Sequence, residues 1–150
     1  MTGPHISSFD ALTLPTAYGI LALRAEVFVV EQDCPYQDLD GKDADCLHLW
    51  YQEGEDILAY ARLLPPGLSY PEAGIGRVVT SSTHRRTGLG KVLMAEAIAR
   101  TRKEWPNQDI VIMAQSYLVD FYQAFGFVVE RAEFLEDGIP HLPMSRAANP

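Results

Sequence analysis

The segment with the clearest chemical potential is the glycine turn (residues 85–91), which reads Arg-Arg-Thr-Gly-Leu-Gly-Lys. It lies between the β-branched run 75–80 and a helical pattern over 89–104. The first N–H groups of a helix have no intrahelical partners, and the helix dipole adds partial positive charge beside them. Gly88 and Gly90 let an anion approach this backbone, and three cationic side chains surround it. The turn therefore predicts a phosphate or pyrophosphate site.

Two familiar phosphate motifs do not fit the spacing of this turn. A Walker A loop needs glycine at position 85 and Ser or Thr at 92, where the chain has Arg85 and Val92. A dinucleotide fingerprint needs glycine or alanine at 93, where the chain has Leu93. A plain turn before a helix is the structural alternative. The cluster of Arg85, Arg86 and Lys91 in an acidic chain favours the anion site.

Two motifs together resemble those of the GNAT acetyltransferase superfamily. The pattern R-x-x-G-x-G over residues 85–90 is similar to the family's acyl-coenzyme A (CoA) motif, and F-Y-x-x-F-G-F over 121–127 is similar to its second motif. The resemblance implies acetyl-CoA as cosubstrate, no metal, and direct attack of a primary amine on the thioester. That amine acceptor would be a small molecule or a peptide.

The resemblance assigns residues to the cosubstrate position by position. Backbone groups of Val78, Val79 and Thr80 would pair with the pantetheine amides, provided that the neighbouring strand diverges. The pyrophosphate would lie on the glycine turn, whose residues are Arg85, Arg86, Thr87, Gly88, Leu89, Gly90 and Lys91.

Tyr122 matches the family's tyrosine that protonates the departing sulfur. A phenol with a pKa near ~10 can donate a proton at neutral pH. Core packing of a short helix is the alternative for this residue. The strand before the glycine turn carries Arg77 but no glutamate of the kind that many relatives use as general base. His48, His141 and Glu31 are the candidate bases, although a lone histidine on a strand more often makes a structural hydrogen bond.

The N-terminal half narrows the resemblance to the small bacterial ElaA-like branch. The similar residues run over 24–40, and Gln115 and the segment 136–141 extend the likeness. A more distant likeness of residues 24–31 is to acyl-homoserine lactone synthases. The acceptor side is predicted to be lined by Arg24, Phe28, Gln32, Tyr36, Asp38 and Asp40, together with Glu31. Salt bridges that brace the first loop are the alternative for the charged members of this set.

Charges are unevenly distributed along the chain. The formal net charge is −8, which argues against a nucleic-acid partner because such binding needs a basic surface. Residues 31–56, the acidic stretch, contain nine acids against Lys42, whereas residues 77–103 contain seven Lys or Arg against Glu96. This separation favours a cationic acceptor amine beside the acidic stretch. A solvated face is the ordinary alternative.

Length and composition indicate one folded domain over residues 1–150, with 47% hydrophobic residues. No apolar run approaches the ~20 residues of a membrane span and no signal peptide is visible, so a cytoplasmic chain without a membrane partner is expected. Cys34 and Cys46 lack zinc-ligand spacing and are expected to be free thiols. A homodimer is an expectation at the level of the family only.

The hydropathy pattern predicts an α/β fold. Strands are expected over 5–12, 45–51, 57–64, 75–80, 109–114, 128–134 and 141–146, and helices over 13–34, 89–104 and 117–124. The first helix is expected to have an apolar face of Tyr18, Leu21, Ala22, Ala25, Phe28 and Val29. The GNAT resemblance implies a mixed, mainly antiparallel central sheet flanked by helices, with splayed middle strands that admit the pantetheine arm.

Two other functions are compatible with the sequence. A non-catalytic acyl-CoA sensor would need the glycine turn but no general base. An acyltransferase that prefers longer acyl chains would fit the distant likeness to lactone synthases.

Overall fold

An open, mostly antiparallel sheet flanked by helices forms the frame of the protein, as a computed structural model of residues 1–148 shows. Its strands are β1 (Thr2–Ser8), β2 (Leu47–Glu53), β3 (Asp56–Leu64), β4 (Ala73–Thr80), β5 (Ile110–Gln115), β6 (Val128–Val129), β7 (Phe134–Glu136) and β8 (Ile139–Arg146). The helices are α1 (Leu14–Arg24), α2 (Leu89–Glu104) and α3 (Val119–Gln123), and α1 continues as a π-helical segment over Ala25–Glu31. The strand order is β1-β2-β3-β4-β5-β8-β6, with β7 also paired to β8. The predicted fold class is confirmed.

Helix α1 covers one face of the sheet. It begins at Thr13, whose Oγ1 accepts a hydrogen bond from the N–H of Thr16. The buried residues of α1 and its π-helical segment are Ile20, Leu23, Arg24 and Val27. The predicted apolar face is wrong at Tyr18, which is 79% exposed, and at Ala22 and Ala25, which are also exposed. Because apolar residues occur on all sides of this helix, periodicity alone could not select the buried one.

Helix α2 covers the opposite face and has the bounds expected from the sequence. It packs on β3 and β4. Its buried residues are Leu89, Leu93, Met94, Ala97, Ile98 and Thr101. Val92 lies outside this stripe and is 49% exposed. The helix begins at Leu89, within the glycine turn, so its N-terminus is held near the end of β4.

Strands β4 and β5 diverge in the middle of the sheet. They are parallel and pair only at Ala73↔Ile110 and Gly74↔Val111. β5 is paired along its whole length with β8 on its other side. The edge of β4 from residue 75 onward therefore has no strand partner on the β5 side. This divergence of β4 and β5 is the splaying of the middle strands that the GNAT resemblance implies.

Strand β8 pairs with β5, β6 and β7, and the region that pairs with it differs from the sequence prediction. A single strand was expected over 128–134, but two short strands stand there. β6 pairs with the end of β8, through Val128↔Ser145, whereas β7 pairs with its beginning, through Phe134↔His141. Because β6 and β7 pair with opposite ends of β8, the chain must turn between them, and the expected single strand is interrupted. No helix within residues 1–148 is long and apolar enough to cross a membrane.

Candidate active site

A cavity of about 1340 Å³ opens where β4 and β5 diverge. Predicted site residues that line it are Phe28, Glu31, Gln32, Tyr36, Asp40, Val78, Val79, Thr80, Arg85, Arg86, Gly90, Tyr122 and His141. Predicted site residues outside its lining are Arg24, Asp38, His48, Thr87, Gly88, Leu89 and Lys91. The cavity thus brings the glycine turn, the edge of β4 and the aromatic helix α3 to one space.

The glycine turn presents an open backbone to this space. Gly88 precedes the first residue of α2 and has a left-handed φ of 86°, with no side chain capping the helix. A Cβ built at Gly88 meets nothing within 4 Å, and one at Gly90 lies 3.7 Å from Oγ1 of Thr80. The space beside these two glycines is therefore open, as an anion site at the start of a helix requires, and Gly90 lines the cavity.

We expect Gly88→Val to weaken CoA binding about tenfold or more, because the side chain would occupy the space that phosphate oxygens need. Calorimetry with CoA measures this effect. Gly54→Val is the matched control, since Gly54 also has a left-handed φ of 58° and open space, but lies in the β2–β3 turn and not at the start of a helix. Unchanged affinity in a folded Gly88→Val protein would contradict the anion cradle.

Arg85 of the glycine turn forms a two-pronged ion pair with Glu31, at the end of the π-helical segment. Both side chains are 40% exposed. The hydrogen bonds from Arg85 lower the pKa of the Glu31 carboxyl. A carboxylate with a lowered pKa is a weaker base, so this geometry disfavours Glu31 as the general base. A bound pyrophosphate would compete with Glu31 for the same guanidinium.

Tyr122 lies on α3 with its ring edge-on to Phe121 and Phe127, at centroid distances of 5.1 and 6.2 Å. The side chain therefore packs in the core and also lines the cavity. Burial, with a smaller effect of Tyr117, raises the pKa of Tyr122 to about 12. The phenol is consequently protonated at any physiological pH, as a proton donor must be.

His48 is a structural residue. It is buried, and its Nε2 lies 2.9 Å from the carbonyl oxygen of Asp43 while its Nδ1 lies 2.6 Å from the hydroxyl of Tyr60. Because a carbonyl can only accept, Nε2 carries the hydrogen and Nδ1 accepts from the tyrosine. Burial also lowers the pKa of His48. Both ring nitrogens make hydrogen bonds outside the cavity, so the geometry does not support the prediction of His48 as a candidate base.

His141 is the histidine that lines the cavity. Its Nδ1 lies 2.7 Å from the carbonyl oxygen of Ile139, so this nitrogen carries a hydrogen and donates it. The neutral ring then keeps a lone pair on Nε2, which lies 3.7 Å from a carboxylate oxygen of Glu136. This is the tautomer that a general base needs.

Three arginines and three aspartates form one buried ion-pair network, named here the Arg–Asp network. Its members are Arg24, Arg62, Arg77, Asp38, Asp40 and Asp43, with N–O distances from 2.7 to 3.5 Å. Burial alone would raise the pKa of Asp40, but the hydrogen bonds from Arg62 and Lys42 lower it. Because each aspartate is matched by an arginine, the expected attraction of a cation to Asp38 and Asp40 is not supported. Bracing of the loop is the role that the geometry favours.

Comparison with known proteins identifies the family. A family profile described as an acetyltransferase (GNAT) domain matches residues 16–148. The chain belongs to the GNAT acetyltransferase family. The protein ElaA of Escherichia coli strain K12 is 39% identical over 137 residues, which are 90% of each chain. The likeness to the ElaA-like branch is therefore confirmed.

Solved structures of GNAT relatives have the same fold. An acyl-CoA N-acyltransferase from Pseudomonas aeruginosa matches with a TM-score of 0.93 and 42% identity, covering 97% of this chain and 99% of that one. E. coli ElaA matches with a TM-score of 0.91 and 36% identity over the same shares. The lactone synthase BjaI, solved with SAM and isopentyl-CoA, has a TM-score of 0.78 at 17% identity, covering 97% and 83%, and shows the fold alone.

A β-bulge on β4 is a feature of this GNAT domain that the sequence did not reveal. Tyr60 pairs with Val79 and Arg62 with Gly76, so a single β3 residue faces both Arg77 and Val78. Arg77 has a left-handed φ of 50°. A bulge leaves the extra residue without a ladder partner, which frees backbone hydrogen-bonding groups beside the cavity.

The two cysteines are free, as expected. Cys34 lines the cavity and its thiol donates to the carbonyl oxygen of Asp137 at 3.3 Å, whereas Cys46 is buried beside Lys42. Within residues 1–148, no group of three or more His, Cys, Asp or Glu side chains is placed to hold a metal ion.

Proposed function

We propose that the protein is an acetyl-CoA-dependent N-acyltransferase that moves an acetyl group to a primary amine of a small molecule or peptide. Membership of the GNAT acetyltransferase family and the 42% identity to an acyl-CoA N-acyltransferase support the acyltransferase class. The observation that carries the finer proposal is the slot between β4 and β5, which runs from the glycine turn to Tyr122. An anion site, an unpaired strand edge and a protonated phenol are the parts that a CoA thioester needs.

The unpaired edge of β4 would hold the pantetheine arm. Backbone N–H and C=O groups of Val78, Val79 and Thr80 lie where the ladder to β5 has ended, and an extended amide chain can bind there as an added strand does. The pyrophosphate would lie on the glycine turn, at the N-terminus of α2. Arg85 would then break its ion pair with Glu31 and pair with a phosphate oxygen instead.

The chemical step follows from the groups around the slot. The amine nitrogen attacks the thioester carbon, a C–N bond forms, and the carbonyl oxygen becomes an oxyanion that a free N–H of the β4 bulge can stabilise. The C–S bond then breaks, and the departing thiolate takes the proton of Tyr122. The proton lost by the amine goes to Nε2 of His141, and water relays a proton from His141 to the Tyr122 phenolate, so both groups return to their starting states.

We expect His141→Gln to lower kcat/KM by roughly 10²-fold, the range for loss of a proton-transfer group. The variant should also lose the contribution of the general base to the pH dependence of kcat/KM. The pH profile of both proteins measures it. His5→Gln, on the edge strand β1, is the matched control. A variant that keeps the wild-type pH profile would remove His141 from the mechanism.

The function itself is tested by thiol release from acetyl-CoA in the presence of amines, peptides and cell extract, with mass analysis of the products. We expect CoA release to match the amount of an N-acetylated product. Slow thioester hydrolysis without any acetylated acceptor would instead favour an acyl-CoA sensor. Faster release from octanoyl-CoA than from acetyl-CoA would select an acyltransferase for longer chains.

A further inference from the structure

The cavity has a second charged region at the opposite end of β4 from the glycine turn. It is named here the inner pocket and consists of Lys42, Arg62, Ser69 and Tyr70, all of which line the cavity. Ser69 and Tyr70 lie on the loop that leads into β4, and Arg62 pairs across with Gly76. None of these four residues was predicted to belong to the site.

Lys42 in the inner pocket has a neutral hydrogen-bond partner but no carboxylate. Its Nζ donates to Oγ of Ser69 at 2.8 Å. In the part of the chain that the structure describes, no Asp or Glu oxygen lies within 4.0 Å of this ammonium. The backbone N–H of Lys42 donates to Asp40 at 3.1 Å, which holds the residue against the Arg–Asp network.

The Arg–Asp network cannot neutralise Lys42. Its three arginines and three aspartates already balance, so the ammonium is one positive charge in excess. The side chain of Arg62 is 4% exposed, and its Nε is buried without a hydrogen-bond partner among residues 1–148. The ammonium of Lys42 is therefore the cationic group of the inner pocket that can take an anion, with hydroxyl donors beside it.

Acidic side chains line the cavity on the β7–β8 hairpin. They are Glu136 and Asp137, and His141 lines the cavity beside them in sequence. Burial and then Glu136 raise the pKa of Tyr70, while Arg62 and Arg77 act to lower it, so charges of both signs act on this phenol.

We propose that the acceptor carries a carboxylate as well as its amine, as an amino acid or a small amino-acid derivative does. The inference rests on the proposed function and names the substrate class of the same site. Lys42, with the hydroxyls of Ser69 and Tyr70, binds the carboxylate through charge-assisted hydrogen bonds. The amine is directed to the side of Glu136 and His141, where it loses its proton. A diamine would instead place a second cation against Lys42.

The test compares matched acceptors with acetyl-CoA as donor: each amino acid, its carboxamide and its decarboxylated amine. We expect kcat/KM to be about tenfold or more higher for the acid than for either partner, because only the acid gives the ammonium a charged ligand. Lys42→Met keeps the side-chain stem and should remove this preference through KM, with CoA affinity unchanged. Lys103→Met, in the last turn of α2 and outside the cavity, is the control.

The outcomes separate the two proposals. If decarboxylated amines are acetylated as well as the acids, or Lys42→Met keeps the preference, the inner pocket does not select a carboxylate, but the N-acyltransferase proposal stands. If acetyl-CoA binds and no amine in any series is acetylated, the proposed function fails and this inference fails with it.

Discussion

Tyr122→Phe is expected to lower kcat about 10²-fold while leaving the affinity for acetyl-CoA nearly unchanged. The substitution removes the proton of the phenol and keeps the ring that packs on Phe121 and Phe127. Because the pKa of Tyr122 is raised to about 12, the wild type should not lose activity through this group until the pH approaches that value. Steady-state kinetics and calorimetry measure the two parts of the prediction.

Tyr51→Phe is the matched control for this variant. Tyr51 is equally buried in the core but does not line the cavity, so its substitution should leave kcat unchanged. A Tyr122→Phe protein that turns over at the wild-type rate would return Tyr122 to a packing role.

Arg24→Met is expected to destabilise the fold by about 3–5 kcal/mol, the range for breaking a buried ion pair. Arg24 is fully buried and donates to both Asp38 and Asp43 at 2.8 Å, so its loss leaves two carboxylates short of a partner in the interior. Urea denaturation measures the free energy of unfolding.

The control for this loss is Arg100→Met on α2. Arg100 pairs with Glu96 one helical turn away, and both side chains are partly exposed. Such a pair contributes about 0.5 kcal/mol or less. If Arg24→Met costs no more than Arg100→Met, the Arg–Asp network does not brace the fold. Arg24→Lys, which keeps the charge, should lose less than Arg24→Met.

Elements with local signals could be predicted from the sequence. The bounds of α2 follow from the glycine turn before it and from Trp105-Pro106 after it, because a proline disfavours helical conformation in the preceding residue. The anion site could be proposed from the same local chemistry. The divergence of β4 and β5 came from the family resemblance, because strand order is a long-range property that no local pattern contains.

The parts that could not be predicted depend on contacts between distant residues. The acidic stretch predicts a site for a cation, but Arg24, Arg62 and Arg77 come from separate elements and neutralise three of its aspartates. His48 and His141 both lie on strands, and only the fold shows which of them faces the cavity. The role proposed for Lys42 could not be predicted for the same reason, because the hydrogen-bond partner of its ammonium, Ser69, lies on the loop before β4.

The structure of the protein with bound acetyl-CoA tests the central claim most directly. We predict that pyrophosphate oxygens accept hydrogen bonds from backbone N–H groups of residues 85–91, with Arg85 released from Glu31. We also predict that the pantetheine arm follows β4 from Thr80 toward the bulge, and that the sulfur lies within hydrogen-bond reach of the Tyr122 hydroxyl. Phosphates bound away from the glycine turn, or a sulfur beyond the reach of Tyr122, would contradict this claim.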